Sequence, residues 1–138
     1  MPTSICAPAN NAAPPCPTPR PSPNGTATTG SNAMLYILYC RDDPSVSHAI
    51  RSAHKDAHLA YLARHTDLIV IGGAMLAEDG QTRVGSTLIL NVDRREQAEQ
   101  FSLNEPFRQA GLYASVTITR MRRAQWFPEH APKTVEGQ

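Results

Sequence analysis

The chain is predicted to be an α+β protein of ferredoxin-like βαββαβ order, an antiparallel sheet with two helices on one face. Three observations carry that expectation. Residues 34–40 (Met-Leu-Tyr-Ile-Leu-Tyr-Cys), 68–71, 84–92 and 112–121 are strand-like runs, the last alternating Ala114, Val116 and Ile118 with Ser115, Thr117 and Thr119. Two helical segments separate these runs in the order strand, helix, strand, strand, helix, strand. The pattern closes within roughly 90 residues, enough for one domain.

Each element has its own local signals. Asp43-Pro44 offers an N-cap and an N1 proline, so the first helix is expected from there to about His65. Ile50, Ala53, Ala57, Ala60 and Tyr61 recur at helical spacing as the face that packs on the sheet, leaving Arg51, Lys55 and Arg64 to reach solvent or a pocket. Gly72-Gly73 ends the second run where backbone must bend or something must approach closely, and Glu78-Asp79-Gly80-Gln81 turns the chain into a hairpin. Asp93, three residues before Glu96, has capping-box spacing and opens a second helix that ends near Leu103. One more turn fits Phe107 to Ala110 before Gly111 resets the chain. The uncovered sheet face predicts a homodimer formed by pairing with a second copy.

Composition sets the boundaries. Of 12 prolines in 138 residues, eight fall in residues 1–33, which carry one charge, Arg20, and few large apolar side chains. Such a segment cannot offset the entropy of ordering, so it reads as a disordered tail or as a segment upstream of a start at Met34. The folded domain is expected over 34–127, and 128–138 as a flexible C-terminal tail. The first residues lack a basic n-region and an apolar h-region, so no secretory signal is expected. With 13 basic against 12 acidic side chains, the net charge of +1 provides no field for nucleic acid. The ten-residue apolar run from Leu68 to Ala77 contains two glycines and falls short of the roughly 20 residues that cross a bilayer. Cys6, Cys16 and Cys40 form an odd set without Cys-x-x-Cys spacing, which favours a reduced, cytoplasmic protein with Cys40 as a buried strand thiol.

The first helix carries the best candidates for chemistry. Arg51, His54 and His58 recur at helical spacing and should project to one side. A His-x-x-x-His pair can hold zinc, but no Glu follows the first His, and a third ligand would have to come from His48, His65 or Glu105. No metal is therefore expected. A single imidazole acting as general base needs only a carboxylate to orient it and a cation for an anionic substrate, which His58, Glu105 and Arg51 could supply. Gly72-Gly73 is not a dinucleotide fingerprint, so no nucleotide cofactor is implied. Ser86, in Gly85-Ser86-Thr87, could point its hydroxyl into the same cavity but lacks nucleophile-elbow spacing. Tyr36, Tyr61, Phe107 and Tyr113 read as core or pocket wall.

Several of these residues fall in a familiar order: Met-Leu-Tyr-Ile-Leu-Tyr at 34–39, Arg51-x6-His58-Leu59 with Tyr61-Leu62, Gly72-Gly73-Ala74-Met75, Gly85-Ser86-Thr87, and Asn-Glu-Pro-Phe followed by Ala-Gly-Leu-Tyr at 104–113. Over about residues 34–124 the chain resembles the YciI-like (YCII-related) family. The resemblance implies a dimeric ferredoxin-like sandwich whose site pairs a helix histidine with the acid of an Asp-Pro-Phe or Asp-Pro-Tyr motif. Those positions are His58 and Glu105, the latter one methylene longer than the family's usual Asp. Gly73, Met75, Ser86, Pro106 and Phe107 are expected to line the substrate pocket. Because the family includes a cofactor-independent dehydrochlorinase of aromatic-ring breakdown and resembles muconolactone isomerases in fold, the implied activity is a lyase or isomerase. Its substrate would be a small hydroxylated aromatic or lactone, with His58 moving a proton, Glu105 orienting it and Arg51 stabilising an enolate or phenolate. The alternatives are a non-catalytic dimeric module that binds a small metabolite or a protein, and a dimeric oxygenase of a self-activating quinol.

Overall fold

The computed structural model describes residues 34–135. Residues 1–33, expected to form the Pro-rich tail, lie outside the described residues, as do 136–138. The elements are β1 (Met34–Asp42), α1 (Ser47–Ala63), β2 (Ile69–Leu76), β3 (Arg83–Val92), α2 (Arg95–Leu103), α3 (Pro106–Gln109) and β4 (Tyr113–Met121). Among the described residues the strands form one sheet in the order β2-β3-β1-β4, and every neighbouring pair is antiparallel. This is the ferredoxin-like α+β arrangement that the order of strands and helices predicts. Beyond β4, residues 122–127 carry no regular structure, and a 3-10 turn follows at Pro128–His130, inside the segment expected to be a flexible tail.

Alternation along the strands sorts side chains onto two faces. Leu38 lies between Leu88 and Ile118, and Tyr36 opposite Leu90, in rows that face the helices. These residues, with Cys40, Val92, Tyr61 of α1 and Ala98 and Phe101 of α2, form the core. The Tyr61 hydroxyl donates to the Phe101 carbonyl at 2.8 Å, so burial of that ring leaves no polar atom unpaired. The rows between carry Leu35, Ile37 and Tyr39 of β1, Ile71 of β2 and Ile89 of β3 on the opposite face. Ile71 is 58% exposed and Tyr39 40%.

The helices depart from the sequence reading in instructive ways. α1 starts at Ser47 rather than at Asp43-Pro44. Asp43 instead closes a turn: its carboxylate accepts from the Ser45 N–H and hydroxyl, and its carbonyl accepts from Val46 and Ser47. The expected inward face holds at Tyr61, which is buried, but not at Ala53, Ala57 and Ala60, which are exposed, whereas Arg51 and His58 turn inward. Burying one methyl contributes about 0.8 kcal/mol, whereas a buried carboxylate without a partner costs several kcal/mol. Asp42 and Glu105 are buried carboxylates, and the inward face of α1 supplies Arg51 to the first and His58 to the second. At α2 the capping acceptor is Gln97, whose Oε1 takes the N–H groups of Asp93 and Arg94, in place of the expected Asp93–Glu96 pair. The Gly72-Gly73 pair lies inside β2, and the register irregularities fall at Ile69/Ile71 and Met75/Leu76.

Candidate active site

Pro106 fixes the first position of α3, and Glu105 before it has extended backbone and serves as the N-cap. Its Oε1 accepts from the Phe107 N–H and its Oε2 from the Arg108 N–H, each at 3.1 Å. Glu105 is 4% exposed, and its carboxyl group is held against α1. There His58 Nδ1 lies 2.5 Å from Oε1. With Glu105 ionised, Oε1 can only accept, and a neutral His58 then meets it with Nδ1–H. Phe107 stacks on the imidazole, with ring centroids 4.0 Å apart and planes 18° from parallel. Nδ1 and one ring face are thus fixed, while Nε2 has no partner among the described residues.

One turn-pair earlier on α1, Arg51 meets Asp42 at the end of β1. Its Nε and Nη2 bond the two carboxylate oxygens at 2.7 and 3.0 Å, and Nη2 also reaches the Gly85 carbonyl and the Ser86 hydroxyl at 3.0 and 3.1 Å. Asp42, which the sequence reading missed, takes a third bond from the Ser47 hydroxyl. The guanidinium sits 5.2 Å from the Phe107 ring centroid, which ties this cluster to the His58 stack. Arg51 is therefore already paired, and only Nη1 is left to meet a ligand.

Strand register decides which pocket residues can share this site. Ser86 pairs with Cys40 and Ala74 on the face turned to the helices, and Phe107 and Pro106 approach from α3. Gly73 and Met75 do not belong with them: they pair with Thr87 and Gly85 on the other face, where the Met75 methyl covers Gly85. The residues of β2 on the site face are Gly72 and Ala74, one position away from those expected, because a strand reverses its side chains at every step. His54, expected beside His58, is exposed. Tyr113, expected as wall, approaches the site directly, its hydroxyl 3.4 Å from Glu105 Oε2. Burial, and then the Glu105 charge, push its phenol up, so it stays a donor. Burial likewise pushes the Cys40 thiol up to about 12, which leaves no thiolate for nucleophilic chemistry near neutral pH.

The fold and this cluster define a ferredoxin-like α+β domain with a histidine and a carboxylate joined beneath one helix. The chain belongs to the family of the YCII-related domain, whose model matches residues 34–122. Among solved structures it is similar to 5-chloro-2-hydroxyhydroquinone dehydrochlorinase from Burkholderia phenoliruptrix, in complex with 2,5-dihydroxybenzoquinone. That match has 32% identity and a TM-score of 0.61, covering 66% of this chain and 96% of that one. An antibiotic biosynthesis monooxygenase matches at 10% identity and TM-score 0.43 over 67% of this chain and all (100%) of that one. A Pseudomonas aeruginosa protein matches at 13% and 0.44 over 70% and 100%. No curated protein sequence matches the chain. No helix among the described residues is long and apolar enough to cross a membrane.

Proposed function

We propose that the chain is a cofactor-independent lyase or isomerase that moves a proton on a small hydroxylated ring or lactone, with His58 as the base. The observation that carries this reading is the 2.5 Å contact of His58 Nδ1 with Glu105, with Nε2 free of partners among the described residues. As Nε2 takes a proton the imidazole becomes a cation against the buried carboxylate, and the site gains an ion pair as the substrate gains negative charge. Arg51 acts mainly by holding Asp42 and Ser86 in place, with Nη1 available to a phenolate or enolate oxygen.

The similarity to the Burkholderia dehydrochlorinase supports a chlorinated hydroxyhydroquinone as the first substrate to try. In such an elimination one hydroxyl proton is first exchanged for a proton on the C–Cl carbon, giving the keto tautomer; a second hydroxyl proton then passes to Nε2, its O–H pair forms the other carbonyl as the ring double bond shifts, and chloride leaves with the C–Cl bonding pair. The sum is loss of one proton and one chloride, so no electron acceptor is needed. A homodimer fits the same reading, because the apolar outer rows of the sheet carry Ile71 and Tyr39 in the open.

The test is chloride release from 5-chloro-2-hydroxyhydroquinone, with lactones assayed for isomerisation in parallel. Turnover that collapses in His58→Ala supports the proposal. Equal turnover by that variant contradicts it. A bound ligand recovered unchanged, with affinity indifferent to His58, would identify a binding module instead.

A further inference from the structure

A row of polar side chains runs between the two halves of the site. Arg51 Nη2 donates to Ser86 Oγ at 3.1 Å, the Ser86 hydroxyl faces the phenol oxygen of Tyr113, and Tyr113 donates to Glu105 Oε2 at 3.4 Å. Glu105 meets His58 through its other oxygen. Every member comes from a different element: Arg51 and His58 from α1, Ser86 from β3, Tyr113 from the start of β4 and Glu105 from the cap of α3. Arg51 donates to Ser86 and Tyr113 donates to Glu105, so the Ser86 hydroxyl lies between the Asp42–Arg51 clamp and the phenol that reaches the carboxylate.

We propose that Tyr113 is a positioning residue for the His58–Glu105 pair, holding the carboxylate plane and drawing off part of its charge, with Ser86 linking it to the Asp42–Arg51 clamp. This rests on the proposed role of His58 as base. Glu105 Oε2 has two donors, the Arg108 N–H and the Tyr113 hydroxyl. Removing the second leaves the carboxylate freer to rotate and more negative toward the imidazole. A more negative carboxylate holds the imidazolium more firmly, so His58 gives up its proton at higher pH. The other groups facing this cluster are Cys40 and Asp42 from β1, Arg51 and Tyr61 from α1 and Arg108 from α3. All of them are unchanged in the variants below.

The experiment is a ring-proton NMR titration of His58 in wild type, Tyr113→Phe and Ser86→Ala. Because it needs no substrate, its failure is distinct from failure of the proton-transfer reading. The expected result is a His58 curve moved to higher pH in Tyr113→Phe and moved the same way, by less, in Ser86→Ala. If turnover is found, Tyr113→Phe should lower kcat more than it changes KM and displace the pH–rate profile. A folded Tyr113→Phe whose His58 curve overlies wild type overturns the proposal. If that variant does not fold, Ser86→Ala decides: an unmoved curve refutes the linkage and a shift to higher pH supports it.

Discussion

His58 and Glu105, 47 residues apart in sequence, meet at 2.5 Å because each is fixed by its own element before they touch. The histidine is carried on the fourth turn of α1 and steadied by the Phe107 ring, while the glutamate caps the helix that supplies that ring. The extra methylene of Glu over the family's usual Asp does not prevent contact here. His58→Ala is expected to lower turnover by about 10²–10⁴-fold, the usual contribution of a positioned acid–base group. Glu105→Gln should lose a large part of the same factor, since an amide can present its NH2 to Nδ1 and reverse the tautomer. Steady-state kinetics on both variants, with circular dichroism to verify folding, checks this.

The Asp42–Arg51 pair is bidentate and nearly buried, with side-chain exposures of 2% and 13%. Arg51→Met leaves the carboxylate without its cation and should cost about 3–5 kcal/mol of stability. The double variant Asp42→Leu/Arg51→Met should recover much of that loss. Urea denaturation of the single and double variants measures it.

Register separates two adjacent positions on β2. Ala74 shares the face of Ser86, so Ala74→Leu should weaken substrate binding and raise KM, whereas Gly73→Ala, with open space on the other face, should leave KM unchanged. Kinetics on the pair test the assignment. If Gly73→Ala raised KM and Ala74→Leu did not, the assignment would be reversed.

Cys40 is buried and its thiol is pushed up to about 12 from 9.0. Folding therefore favours the protonated form: the stabilisation is complete below pH 9.0 and is lost as pH rises toward 12. Tyr113 shifts in the same direction through burial and the Glu105 charge. Urea midpoints should fall across that alkaline range, and less steeply in Cys40→Ala. In a Cys6→Ser/Cys16→Ser background, a thiol reagent at pH 8 should label Cys40 far more slowly than it labels the unfolded chain.

Pairing through the outer sheet face predicts that Ile71→Asp, on the most open apolar position of that face, yields a monomer. Sedimentation velocity on wild type and variant reads it directly: a dimer for the first and half that mass for the second.

The order of elements was legible because strand runs and turn residues are local signals. Residue chemistry alone offered Glu105 as one acid that could orient His58, and the family resemblance singled that pair out, since nothing local links positions 47 residues apart. The inward face of α1 was read correctly at Tyr61 but misread at its alanines, because apolar periodicity weights side chains that contribute little, and a buried Asp42 cannot be told from a solvated one in sequence. Gly73 and Met75 were misassigned by a single step of strand phase, which depends on the bulge near Ile69. Tyr113 was taken for wall because its hydroxyl has meaning only beside Glu105, eight residues earlier across a turn.

The central claim is that Glu105 fixes the proton on His58 Nδ1 and leaves Nε2 as the base. Long-range proton–nitrogen NMR of the neutral imidazole identifies which nitrogen carries the hydrogen. The account predicts the Nδ1–H tautomer in wild type and loss of that preference in Glu105→Gln. A wild-type imidazole protonated on Nε2 would leave no lone pair to receive a substrate proton, and would contradict it.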